Sequence, residues 1–165
     1  EVCLVGSEMC IRDRGKDGMG MEVKKVTFNG SEVSYSHDND VLLIETGTLE
    51  YSSRDIINVV YSGMPITGLI IGPNMHGDRT FFSDNWPNKA RNWLPLVDHP
   101  YDKSTAEFIV IAPNHYQVIS NGLLVEETNL NKELKKTHWK QSVPISCWLY
   151  ALGVAEFAVD YVDYF

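Results

Sequence analysis

The sequence predicts an all-β sandwich of mostly antiparallel strands, and three features carry that reading. Residues 22–165 hold 14 Val, 10 Ile and 8 Thr against six Ala, and branched side chains are stiff in helices but fit a pleated surface. All seven prolines fall between Pro65 and Pro144, punctuating short apolar runs where a helix interior or a central strand would not tolerate them. No window carries a 3.6-residue apolar stripe bounded by caps. The expected strands are 23–28, 33–35, 41–45, 55–61, 68–72, 80–82, 105–112, 117–120, 123–127, 137–143 and 149–159. In 105–112 both faces become apolar by Ile109, which suggests a strand running from an edge into the interior. Asn121-Gly122, between Val118-Ile119 and Leu123-Leu124, predicts a hairpin with a type I′ turn. In 137–143 the alternation puts Thr137, Trp139, Gln141 and Val143 on one face and His138, Lys140 and Ser142 on the other, as in a sheet with one wetted side.

At 165 residues and 44% hydrophobic composition the chain is one domain with enough apolar material for a core. Its net charge of -8 and pI near 5.0 supply no basic field, which argues against nucleic acid or an anionic membrane surface as the main partner. No apolar run reaches the roughly 18 to 20 residues of a membrane span, and the longest, 148–159, is broken by Glu156.

Residues 1–14 call for separate treatment. The string LVGSEMCIRD at 4–13 resembles the conceptual translation of a transposon-type sequencing adapter, so the segment is expected to be an artefact outside the fold, exposed or irregular. The alternative is an ordinary flexible N-terminus. Cys3 and Cys10 both lie in it, leaving Cys147 alone and excluding a disulfide framework.

Chemistry-bearing motifs are sparse. The histidines at 37, 76, 99, 115 and 138 have neither the i, i+4 spacing of a zinc helix nor a neighbouring cysteine cluster, so no metal site and no catalytic residue is predicted. Nucleophile elbows and phosphate-cradling glycine loops are also missing from the sequence. Cys147 beside Trp148 reads as a small buried hydrophobe rather than a nucleophile, and Asp38 and Asp40 near His37 as a solvated turn.

One stretch, 82–100, spends Trp86, Trp93 and three prolines on a loop. Prolines pre-set φ, so such a loop holds one shape without ladder hydrogen bonds and is a candidate binding surface. In the other reading both tryptophans plug the end of the sandwich and Asp98 accepts backbone N–H bonds in a turn.

The same loop carries a family resemblance. Ala90-Arg91-Asn92-Trp93-Leu94-Pro95 followed by Asp98-His99-Pro100 is similar to the A-R-x-W-x-P-C-x-D-x-P signature of the aminopeptidase N family of zinc metallopeptidases, which includes the leukotriene-hydrolase-like enzymes. Tyr61 to Pro65 with Gly68-Leu69, Pro113 to Tyr116 with Ser120-Asn121-Gly122, Val143-Pro144-Ile145 and 149–157 fall in that family's order. The resemblance implies that 22–165 are the saddle-like N-terminal β domain, incomplete and truncated before the catalytic domain. Zinc, held by an H-E-x-x-H helix and a downstream Glu, and the G-x-M-E-N strand that binds the substrate amine would belong to the parent enzyme's next domain, and neither motif occurs here. The implied partners are that catalytic domain and peptide substrates. Where family members often place a Gln or Glu that reaches the cleft, this chain has Trp86. Trp86 and Asn85 are therefore the expected substrate-binding residues, and Ala90, Arg91, Trp93, Pro95, Asp98 and Pro100 the structural motif. A reading from another class is a free-standing β-sandwich module for carbohydrate or a surface partner, with Trp86 and Trp93 as ligand platforms.

Overall fold

The computed structural model describes residues 7–15, 18–49 and 54–160, with the side chains of Ser7 and Glu8 left aside. Among these residues the chain forms thirteen strands and no α-helix: β1 (Ser7–Cys10), β2 (Gly20–Phe28), β3 (Ser31–Glu32), β4 (Tyr35–Asp38), β5 (Val41–Ile44), β6 (Ile57–Met64), β7 (Leu69–Pro73), β8 (Arg79–Ser83), β9 (Lys103–Pro113), β10 (Gln117–Ser120), β11 (Leu123–Asn129), β12 (Leu134–Ser146) and β13 (Leu152–Ala155). They assemble into four small antiparallel sheets, ordered β1-β5-β4, β3-β2-β6, β10-β13-β8-β7 and β11-β12-β9.

Side-chain alternation explains where the core sits. In β5 Leu42 and Ile44 point inward while Val41 and Leu43 are exposed. In β2 the buried positions step from Met21 and Val23 to Val26, because a bulge between Val23 and Lys25 resets the register against β6. These residues join Ile11 and Trp93 in the main core. A second cluster, Ala112, Val118 and Val154, is packed by Phe81, Val110, Tyr116, Trp139 and Leu152.

The all-β class holds, but five local expectations need correction. Residues 7–14 are part of the fold. β1 pairs with β5, the Cys10 N–H donates to the Leu96 carbonyl at 2.8 Å, and Ile11 is 0% exposed. Arg12 and Asp13 are tied to Asp40 and His37. An apolar residue flanked by residues with strand-forming backbone can complete a core whatever the origin of its sequence, and residues 1–6 of that segment lie outside the described part. Shortening Ile11 to valine should cost about 1 kcal/mol, read as a lowered urea midpoint, whereas an exposed residue would register nothing.

Asn121-Gly122 does not close a hairpin. β10 pairs with β13 and β11 with β12, so this turn carries the chain from one sheet to another. Only Gly122 has positive φ, at 86°, which excludes type I′. The Asn121 side chain instead donates to the Leu149 carbonyl and accepts from the Ala151 N–H.

The outer face of β9 is open rather than sandwiched, with Ile109 60% exposed beside Ile111. On that face Glu107 accepts hydrogen bonds from Lys140 and His138, which hold its carboxyl below the usual range. The alternation expected in 137–143 holds for Thr137, which is buried, but fails at exposed Val143. There the β12–β9 register slips between Gln141 and Ile145, next to Pro144, which has no N–H to give a ladder. The long strand expected over 149–159 is a 3-10 turn at Cys147–Leu149, the short β13, and irregular chain from Glu156.

Candidate functional site

The buried polar groups of the loop between β8 and β9 are paired internally. Trp93 is 7% exposed and its ring stacks on Phe108 at a centroid distance of 6.2 Å. Its indole N–H donates to Asn85 Oδ1 at 2.9 Å, and its carbonyl accepts from the Tyr61 hydroxyl at 2.9 Å. Gly68 allows the close approach. It has φ of +80°, and a Cβ there would run into the Lys89 carbonyl and the Trp93 ring.

Asp98 organises the other end. Its side chain is fully buried and Oδ2 accepts from the Arg91 backbone N–H at 3.2 Å and from Arg91 Nε at 3.1 Å, while Oδ1 accepts from the Cys147 thiol at 3.5 Å. A buried carboxylate needs such pairing. Burial and the adjacent Asp98 push the Cys147 thiol up, in keeping with a buried packing group. Ala90 is buried, and Pro95 and Pro100 are half-buried at the ends of the turn. Of the motif residues named from the sequence, Arg91 and Asp98 are tied to each other and Ala90 and Trp93 are buried beside them along the chain.

Trp86 lies on the same loop but points outward, 62% exposed, followed by Pro87. Beside it Lys89 pairs with Asp84 at 2.5 Å. Asn85 behaves differently from expectation. It is 2% exposed, and both ends of its amide are committed inside, Oδ1 to Trp93 and Nδ2 to the Tyr150 carbonyl at 2.6 Å. It does not present its side chain to a ligand. Sequence reasoning missed the roles of Ser83 and Asn121, whose side chains bind backbone groups 28 to 69 positions away, and of Tyr150, whose carbonyl accepts from side chains 65 and 67 positions away, distances at which sequence spacing carries no signal.

Burial pushes the Tyr61 hydroxyl up to about 12 from 10.0. The folded chain therefore holds this proton more tightly than the unfolded chain. The resulting stability is complete below about pH 10 and is lost as the pH rises toward 12. Tyr61→Phe should flatten this alkaline limb, measured as urea midpoints across that window.

The donor set does not fit zinc. Among the described residues no three His, Cys, Asp or Glu side chains converge. His37 lies against the Ile11 carbonyl and Asp13, His99 packs at a tilt against Tyr101, and His138 is held by Glu107. A groove of about 590 Å³ is lined by Met64, Pro65, Ile66, Leu69 and Ile70 among others, none of them a residue expected to bind substrate.

Comparison with known proteins bears on this loop. The sequence profile described as the peptidase M1 N-terminal domain matches residues 12–149. The rat (Rattus norvegicus) glutamyl aminopeptidase is 33% identical over 75 residues, 46% of this chain and 8% of that protein. The leucyl aminopeptidase of Saccharolobus solfataricus is 25% identical over 144 residues, 86% of this chain and 18% of that protein. The crystal structure of the M1 zinc metallopeptidase from Deinococcus radiodurans superposes with a TM-score of 0.79 at 21% identity, covering 93% of this chain and 34% of that one. The chain therefore spans a minor part of the proteins it matches.

Proposed function

The chain belongs to the peptidase M1 N-terminal domain family, and from that premise we propose that it is the non-catalytic N-terminal β domain of a zinc-dependent aminopeptidase. In this reading it forms one wall of the cleft in which N-terminal residues are removed from peptides. The zinc and the groups that hold it would be supplied by the parent's catalytic domain, since the donor set here does not suit the ion.

The observation that carries the proposal is an exposed indole on an immobilised loop. A Trp left 62% exposed beside a fully packed one forfeits apolar burial, which is recovered when it meets another surface. The ring of Trp86 offers a substrate side chain an apolar wall and attracts a cation to its face. The alternative of a carbohydrate or surface-partner module loses one of its two platforms, because Trp93 faces inward.

The test is Trp86→Ala in the full-length parent. The expected result is a change of about tenfold in the ratio of kcat/KM between substrates with large and small N-terminal side chains. Stability should stay within about 0.5 kcal/mol, as for an exposed position. Equal kcat/KM losses on every substrate, or none, would remove Trp86 from the substrate pocket.

A further inference from the structure

We infer that Asn85 is a positioning residue: its buried amide fixes the peptide from which Trp86 projects and thereby sets the parent enzyme's preference among N-terminal side chains. The inference rests on the proposed contact between Trp86 and substrate, and it concerns a residue that cannot touch substrate itself.

The geometry determines the orientation of the amide. An indole N–H only donates and a peptide carbonyl only accepts, so Oδ1 faces Trp93 at 2.9 Å and Nδ2 faces Tyr150 at 2.6 Å. The Asn85 carbonyl is used as well, accepting from the Lys89 N–H at 3.0 Å across the turn that contains Trp86. One residue thus ties the Trp86 turn to the buried Trp93 and to the chain entering β13.

That second anchor is itself clamped. The Tyr150 carbonyl also accepts from Ser83 Oγ at 3.1 Å, and the same Oγ accepts from the Leu152 N–H at 2.8 Å. Asn121 holds the Leu149 carbonyl at 3.0 Å and the Ala151 N–H at 2.6 Å. Four successive residues, 149 to 152, therefore have backbone groups held by side chains from elsewhere. The Asn85 amide is the link between this fixed segment and Trp86. No charged or hydroxylic substitute reproduces it: Asp would set an oxygen against the Tyr150 carbonyl, and Leu would leave both the indole N–H and that carbonyl without this partner.

A rigid platform discriminates among side chains, whereas one free to shift accommodates them all. In the full-length parent, Asn85→Leu should reduce the discrimination between large and small N-terminal residues by about fivefold to tenfold, appearing as a KM change that differs between substrates while kcat on the smallest is retained. Trp93→Phe, which keeps one aromatic ring but removes the indole donor together with the volume of the second ring, should move the same ratio in the same direction by less. Val118→Ala, in the second core cluster, provides a control for general destabilisation and should leave the ratio alone. If Asn85→Leu does not fold, Trp93→Phe decides the matter. A changed ratio in the Asn85 or Trp93 variant with an unchanged ratio in Val118→Ala supports the inference. A ratio unmoved by the Asn85 and Trp93 variants but changed by Trp86→Ala overturns the inference and leaves the proposed function standing. A ratio unmoved by Trp86→Ala removes Trp86 from the substrate pocket and overturns the inference with it.

Discussion

Replacing Trp93 with alanine is expected to cost about 3 to 5 kcal/mol, the range for deleting a large aromatic side chain from a core. Two losses add to the cavity. The stacked contact with Phe108 disappears, and Asn85 Oδ1, buried in a residue 2% exposed, is left without its donor. The tether through Tyr61 is not lost, because its hydroxyl donates to the Trp93 main-chain carbonyl. The measurement is urea unfolding of the present chain followed by tyrosine fluorescence or circular dichroism, with the midpoint falling and the slope unchanged. A loss below about 1 kcal/mol would mean that the A-R-x-W-x-P turn lies outside the cooperative core. The contrast with Trp86 is the informative part, since one loop carries a buried and an exposed tryptophan seven positions apart.

Gly122→Ala should be nearly as damaging, about 3 kcal/mol or more. Two penalties coincide there: a left-handed φ of +86°, and a new Cβ placed against the Lys140 carbonyl and the Gln141 Cα, which are backbone and cannot rotate away. Gly30 separates the two contributions. Its φ is +83°, yet a Cβ there meets nothing within 4 Å, so Gly30→Ala should cost about 1 kcal/mol from conformation alone. Equal losses at both sites would show that the contact with β12 is not tight.

The features legible in the sequence are those that depend on neighbours along the chain. Composition gave the class, alternation gave most strand centres, and the 82–100 loop stood out by its clustered aromatics and prolines, although those residues alone left open whether it packs inward or offers a binding surface. Partnership between strands was not legible. Asn121-Gly122 has the local chemistry of a hairpin, but β10 and β11 find better partners in β13 and β12, so tertiary pairing overrode turn propensity. Val143 was misplaced because a register slip beside Pro144 is invisible to a period-two count. Asn85 was misread for a related reason: a polar residue in a loop looks available until the distant carbonyl that consumes its amide is known. Ile11 was discounted because its surroundings suggested an unselected segment, yet burial depends on shape and polarity alone.

The pairing of β8 with β13 also bears on the order in which the chain acquires its shape. Phe82 and Gly153 meet across about 70 intervening residues, and closing so long a loop precedes any reward from the contacts it permits. The β4–β5 and β7–β8 ribbons, joined by short turns, can form as soon as they are synthesised. The loop bearing Trp86 cannot be completed then, because the carbonyl that secures Asn85 belongs to Tyr150. During synthesis, residues 84–102 leave the ribosome well before their last anchor, so this loop is among the last parts to acquire its native hydrogen bonds. A nascent chain halted before residue 150 would lack the carbonyl that takes the Asn85 amide, leaving the Trp86 turn tied to the core through Trp93 alone of those two anchors.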